Sequence, residues 1–139
     1  MVRVYIDTNI IVDTIVYREP HTSVADEAIR FMLQNKINIY SSSNSFVNAL
    51  YVAKNHYKVK EAETKVLSVL DYCDILEVTR QAIKGALQSR FKDKEDAIQY
   101  FTAINKADYF VTRNTKDFLP FQNEILPVLS PKEFMVLFE

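Results

Sequence analysis

The sequence predicts an α/β fold, a sandwich of helices around a mostly parallel sheet. Short β-branched and aromatic runs alternate with longer amphipathic stretches along the whole chain. Parallel neighbours need crossover connections, and the intervening helices supply them. No repeat, low-complexity tract or Pro/Gly/Ser-rich linker interrupts the 139 residues, so residues 1–139 read as a single domain with one core.

The elements follow in order. Residues 2–6 form the first strand, and Asp7-Thr8-Asn9 suits the turn and cap that open a helix over 10–17. Pro20 ends that helix. Val24, Ala28, Phe31 and Met32 recur at the spacing of a second helix over 22–35, and a second strand follows at 37–41. The Ser and Asn cluster at 41–45 caps a helix over 46–54, a further helix spans 62–70, and the third strand is 75–78. Thr79 caps a helix through Leu87. Asp93 caps another to about Lys106, with Ala97, Ile98, Phe101 and Ile104 on its apolar face. Residues 109–112 and 125–129 are the last two strands. Ser130-Pro131-Lys132-Glu133 then carries the cap, the first-turn proline and the acid of a helix start.

Composition narrows the chemistry. Seventeen basic and 18 acidic residues leave a net charge of −1 and a pI near 6.1, so nucleic-acid binding would rest on a local patch rather than a global basic field. Gly85 is the single glycine, which excludes glycine-rich phosphate cradles of the P-loop and Rossmann types. Cys73 is the single cysteine, so neither a disulfide framework nor a multi-cysteine zinc site is expected. The apolar run before Asp7 is too short for a signal segment or a membrane span, and the expected location is the cytoplasm.

Ligands of parallel α/β folds sit beyond the carboxyl ends of the strands. Asp7 directly follows the first strand, Asp96 lies in the first turn of a helix, and Asp117 follows the fourth strand. With strands one and four adjacent, the three acids would converge and repel unless they held a cation or took up protons. Mg²⁺ or Mn²⁺ suits such an oxygen-only set. Each acid also has a structural explanation: Asp7 with Asn9 as a helix cap, Asp96 as the partner of Asp93 in a capping start, Asp117 as a turn residue. Spacing alone leaves both open.

Three stretches carry a family resemblance: Ile6-Asp7-Thr8-Asn9-Ile10-Ile11-Val12-Asp13, Glu95-Asp96-Ala97-Ile98-Gln99-Tyr100-Phe101-Thr102-Ala103, and Ala107-Asp108-Tyr109-Phe110-Val111-Thr112-Arg113-Asn114-Thr115-Lys116-Asp117-Phe118. In order and separation they resemble the motifs of PIN domains, in the branch that holds VapC-type toxins. The resemblance implies a three-layer α/β/α sandwich with five parallel strands in the order 3-2-1-4-5. It also implies RNA cleavage by acids that bind Mg²⁺ or Mn²⁺. Asp7 matches the first acid, Asp96 the third, and Asp117 or its neighbour Asn114 the last. Asn48 stands where many members carry a glutamate, and Asn114 where many carry an aspartate.

On this resemblance Asp7 and Asp96 are the principal ligands, Asp117 an additional ligand or orienting group, and Asn114 a further ligand. Asn48 is a polar ligand or water holder, with Thr8, Asn9 and Thr112 in support. The reaction implied is hydrolysis of a phosphodiester by water at a divalent cation, without a protein nucleophile. The two amides weaken the expected metal affinity, which keeps an alternative alive: a weakened or inactive module that binds RNA or protein. Lys54, Arg113 and Lys116 are the candidate RNA contacts, with Tyr51, His56 and Tyr57 able to stack on bases. The resemblance further suggests a homodimer and a small antitoxin partner, with Tyr17, Tyr51 and Phe91 as candidate contact residues.

Other chemistries match less well. His21 and His56 are the only histidines and form no H-x-x-x-H pair, and no nucleophile elbow accompanies them. A haloacid-dehalogenase-type enzyme expects a second Asp where Asn9 stands. A receiver-like domain expects paired acids near the first strand and a phosphoacceptor after the third, whereas Asp74 precedes that strand.

Overall fold

The structure, a computed structural model, describes residues 1–121 and 125–138. Strands β1 (Arg3–Ile6), β2 (Asn38–Ser42), β3 (Cys73–Leu76), β4 (Tyr109–Val111) and β5 (Val128–Leu129) form one sheet in the order β3-β2-β1-β4-β5. Every pairing is parallel. Helices α1 (Thr8–Ile15), α2 (His21–Gln34), α3 (Ser43–Tyr51), α4 (Ala62–Leu70), α5 (Arg80–Leu87), α6 (Lys94–Ala103) and α7 (Pro131–Leu137) make the crossovers and flank the sheet. A π-helical turn (Val52–His56) extends α3, and a 3₁₀ helix (Thr115–Phe121) follows β4. Among the described residues no helix is long and apolar enough to cross a membrane.

Strand alternation builds the layers. Val4 and Ile6 of β1, Val111 of β4 and Leu129 of β5 face the cluster that also holds residues of α1 to α4 and Phe134 of α7. Tyr5, Phe110 and Val128 face the opposite cluster with Ala86 of α5, Ala97, Tyr100 and Ala103 of α6, and Phe118. A single five-stranded sheet with helices on both faces is the predicted three-layer sandwich.

Local chemistry sets the ends. Ser42 Oγ accepts from Ser45 N, Thr79 Oγ1 from Ala82 N, and Asp93 Oδ1 from the amides of Glu95 and Asp96. Ser130 and Glu133 close a reciprocal capping box. Pairing moves several boundaries from those expected. The third strand is 73–76 rather than 75–78, because its partner, β2, stops at Ser42, opposite Leu76. The fifth shrinks to two residues, since β4 offers only Phe110 and Val111 to pair; Ile125, expected in that strand, is exposed. The first helix starts at Thr8, the third at Ser43, and α6 ends at Ala103 rather than Lys106, with Asn105 at φ 66°.

Phe91 corrects an expectation. Instead of offering a surface contact it is 3% exposed and stacks on Phe121 with ring centroids 4.0 Å apart, because the segment before α6 folds under the aromatic layer. Tyr17 and Tyr51 are exposed.

Candidate active site

The carboxyl ends of β1 and β4 open on a cavity of about 800 Å³ whose lining includes Asp7, Thr8, Asn9, Asn48, Asp96 and Asn114. Asp7 extends β1 by one residue, its amide bonded to Val111 O at 2.9 Å. It occupies the cap position of α1, yet its side chain makes no capping hydrogen bond. The carboxylate turns inward: Gln99 Nε2 donates to Oδ1 at 2.7 Å and Thr112 Oγ1 donates to Oδ2 at 2.6 Å. Capping alone therefore does not explain Asp7.

Gln99 is the residue that sequence reasoning missed. It is 5% exposed, and its Oε1 accepts from Tyr5 Oη at 3.0 Å, Thr8 N at 3.0 Å and Ser45 Oγ at 2.9 Å. Thr8 Oγ1 donates to Ser45 Oγ at 2.7 Å, and Ser42 Oγ lies 2.9 Å from the same oxygen. The network ties α6 to β1, α1 and α3, and three of its hydrogen bonds end on the amide that holds Asp7. A signal was present: Gln99 lies three positions after Asp96, on the same helix face.

Asp96 approaches from α6. Its main-chain amide serves the cap, donating to Asp93 Oδ1 at 3.1 Å, while the residue itself lines the cavity. Burial, then the charges of Asp7, Asp93, Asp117 and Glu95, push its carboxyl up to about 7. Burial also raises the Asp7 carboxyl, against the hydrogen bonds from Thr112 and Gln99 and the nearby amides of Asn9 and Thr8. The cavity lining thus holds three carboxylates, Asp7, Glu95 and Asp96, and the charges of Asp7 and Glu95 raise the cost of charge on Asp96.

The remaining predicted residues divide. Asn48 of α3 and Asn114, just past β4, line the cavity. Thr112 Oγ1 accepts from Asn9 Nδ2 at 3.3 Å and from Asn114 N at 3.1 Å, so the three expected supporting residues Thr8, Asn9 and Thr112 belong to the network around Asp7. Asp117 does not line the cavity. It is exposed on the 3₁₀ helix, its amide donating to Asn114 O at 3.1 Å, and it acts on Asp96 through charge. Among the described residues no group of three or more acids, histidines or cysteines is placed to hold a metal ion.

Of the candidate RNA contacts, Arg113 is paired with the buried Asp13, its Nε 2.9 Å from Oδ2. Lys54 lies 3.8 Å from Glu63, and Lys116 is exposed. None of the three lines the cavity, whereas Tyr51, His56 and Tyr57 do.

The family model described as the PIN domain matches residues 3–116. The chain belongs to the PIN-domain family. The matched span contains Asp7, Asn48, Asp96 and Asn114, and ends one residue before Asp117. Among PIN-domain relatives, Ribonuclease VapC1 of Aquifex aeolicus (strain VF5) is 28% identical over 137 residues, covering 95% of this chain and 92% of that protein. The fold also matches VapBC2 from Rickettsia felis, solved bound to a DNA fragment from their promoter. That match has a TM-score of 0.69 at 20% identity and covers 91% of this chain and 98% of the other. A toxin–antitoxin complex from Klebsiella pneumoniae matches with a TM-score of 0.62 at 26% identity, covering 92% and 97%.

Proposed function

We propose that this chain is a metal-dependent endoribonuclease and the toxin of a toxin–antitoxin pair. The observation that carries the reading is the meeting of Asp7 and Asp96, from elements about ninety residues apart, in one cavity where the charge of Asp7 raises the cost of charge on Asp96. The name of the Aquifex relative supports ribonuclease activity, and the Rickettsia and Klebsiella complexes support a small antitoxin as partner. We assign the chain to the cytoplasm, where the buried, unpaired Cys73 suits a reducing environment.

The donor set fits a hard divalent cation. Asp7, Asp96, Asn48 and Asn114 offer only oxygen in the mode that such ions favour, and a bound cation would offset the like charges that Asp7 and Asp96 bring into one cavity. These four residues would hold Mg²⁺ or Mn²⁺, with Asp117 adding charge from outside the lining. The ion supplies charge neutralisation at a phosphate and a lowered pKa for water. The protein's part is orientation: Gln99 and Thr112 fix both oxygens of Asp7 in one plane, and Asn9 steadies Thr112.

The test joins ion binding to cleavage. Millimolar Mn²⁺ or Mg²⁺ raises the melting temperature of the wild type, and RNA is cut. Asp7→Asn loses the ion-dependent rise and at least ~100-fold in cleavage rate, about 2.7 kcal/mol in the barrier, while remaining folded. The amides Asn48 and Asn114 favour a second reading, an RNA-binding module without cleavage. A wild type that binds RNA but cuts none with either ion would establish it.

A further inference from the structure

A phosphodiester is anionic, and the acids of the cavity oppose its entry. Among the described lining residues Arg18 is the one lysine or arginine. It lies beyond the end of α1, and its position is fixed twice over. Its main-chain amide donates to Thr22 Oγ1 at 2.9 Å, and Thr22 Oγ1 in turn donates to Val16 O at 3.0 Å. The guanidinium is held by Asp13, 1% exposed, through Nε at 2.6 Å, and by Tyr57 Oη through Nη1 at 3.0 Å. Its carbon lies 5.6 Å from the Tyr57 ring centroid.

Charge in this cluster is uneven. Asp13 also accepts from Arg113 Nε and Nη2, so one buried carboxylate serves two arginines and leaves a net positive charge beside the cavity. A guanidinium has five N–H groups. The bonds to Asp13 and Tyr57 use two, and Nη2 keeps both of its hydrogens without a partner among the described residues. A pre-oriented guanidinium with a free edge matches the fork geometry of a phosphate. The same cavity is lined by Tyr51, His56 and Tyr57, with the Tyr51 and His56 rings edge to face at 5.8 Å. Unpaired bases can stack on such aromatic groups, whereas bases inside a duplex cannot.

We propose that Arg18, positioned by Asp13 and Tyr57, grips a backbone phosphate of a single-stranded RNA whose bases rest on the Tyr51–Tyr57 wall. This assignment rests on the nuclease reading and adds to it the residue that binds the substrate's backbone.

The probe is a labelled single-stranded RNA 12-mer, with the same sequence as a blunt duplex for comparison. Binding is measured on Asp7→Asn in Mg²⁺, with and without Arg18→Gln, over a range of salt concentrations. Loss of Arg18 is expected to weaken single-strand binding about tenfold and to reduce the slope of log Kd against log salt by about 0.7, one phosphate contact. The duplex is expected to bind at least tenfold more weakly than the single strand. An unchanged Kd and slope, or equal affinity for the duplex, overturns the proposal. A purely structural role would not remove one contact's worth of salt dependence.

Should Arg18→Gln unfold by leaving Asp13 one arginine short, Arg18→Lys keeps the charge and loses the fork. Cleavage by that variant then shows a KM raised about threefold with kcat within twofold, and an unchanged KM overturns the assignment. The two readings fail separately. Wild-type cleavage with an Arg18-independent KM sinks the Arg18 assignment alone, and Arg18-dependent binding without any wild-type cleavage sinks the nuclease alone.

Discussion

Strand β1 ends in two different electrostatic environments. At its start Arg3 meets Asp108, which lies just before β4. Nη2 is 3.0 Å from Oδ1, the Arg3 amide donates to Oδ2 at 2.9 Å, and Asp108 N returns a bond to Arg3 O at 2.8 Å. Each charge there has its opposite, and the hydrogen bonds from Arg3 hold the Asp108 carboxyl below its ordinary range. Four residues further on, Asp7 shares a cavity with Asp96; burial pushes both carboxyls up, and the charge of Asp7 pushes Asp96 further. The same two strands therefore finish one end by matching charge and leave the other mismatched. A fold alone has no need of the mismatch, which is why the strained end reads as the functional one.

The contrast is tested hardest at Gln99, whose amide links the mismatched acid to the rest of the fold. Gln99→Met preserves volume but strands Tyr5 Oη, Ser45 Oγ, Thr8 N and one oxygen of Asp7. With each unsatisfied buried group costing roughly 1–3 kcal/mol and the hydroxyls able to re-pair with each other, a net loss of about 3 kcal/mol is expected in chemical denaturation. RNA cleavage falls with it, since Asp7 is no longer oriented. A loss below about 0.5 kcal/mol would show that the polar network is incidental.

Next in size, and opposite in sign, is Asp96→Asn. In chelator at pH 8 the wild type carries a charge that burial and Asp7 both oppose, so the amide stabilises the fold by on the order of 1 kcal/mol, a few degrees in melting temperature. The sign follows from the raised carboxyl. The folded state takes up its proton as pH falls through about 7, the unfolded chain only near pH 4. The wild type therefore gains stability on acidification across that window, and the advantage of the amide shrinks. A variant less stable than the wild type at pH 8 would contradict the picture of unbalanced charge.

How much of this was legible in the sequence depends on distance along the chain. Helix starts were readable because Thr79, Asp93 and Ser130 cap amides two or three residues away, and the strands because β-branched runs are local. Strand ends were not, since β3 stops where β2 stops and β5 pairs only as far as β4 extends. In the site, Asp7, Asn48, Asp96 and Asn114 could be named from motif resemblance, and all four line the cavity. Gln99 could not, because its meaning lies in partners on β1, α1 and α3. Arg113 looked like a free cation because the sequence cannot display that Asp13, one hundred residues away, holds it. Arg18 escaped notice for the converse reason, lying in a connecting segment whose position only the fold supplies.

The smallest effect belongs to the balanced end. Asp108 has its carboxyl lowered by Arg3, so the pair stabilises the fold above the ordinary carboxylate pKa and loses that contribution as pH falls through the folded value, below about 4. Arg3 remains charged throughout. With side chains 42% and 39% exposed, solvent and salt screen the attraction, and the decline should be shallow and weaker still in 1 M salt. Asp108→Asn is expected to remove this acid limb of the stability profile and to leave RNA cleavage unchanged, because neither Arg3 nor Asp108 lines the cavity. If the exposed pair instead proved as costly to break as the Gln99 network, charge matching at the start of β1 would be what holds strands β1 and β4 together. The mismatch at the other end would then be a tolerance granted by that strength.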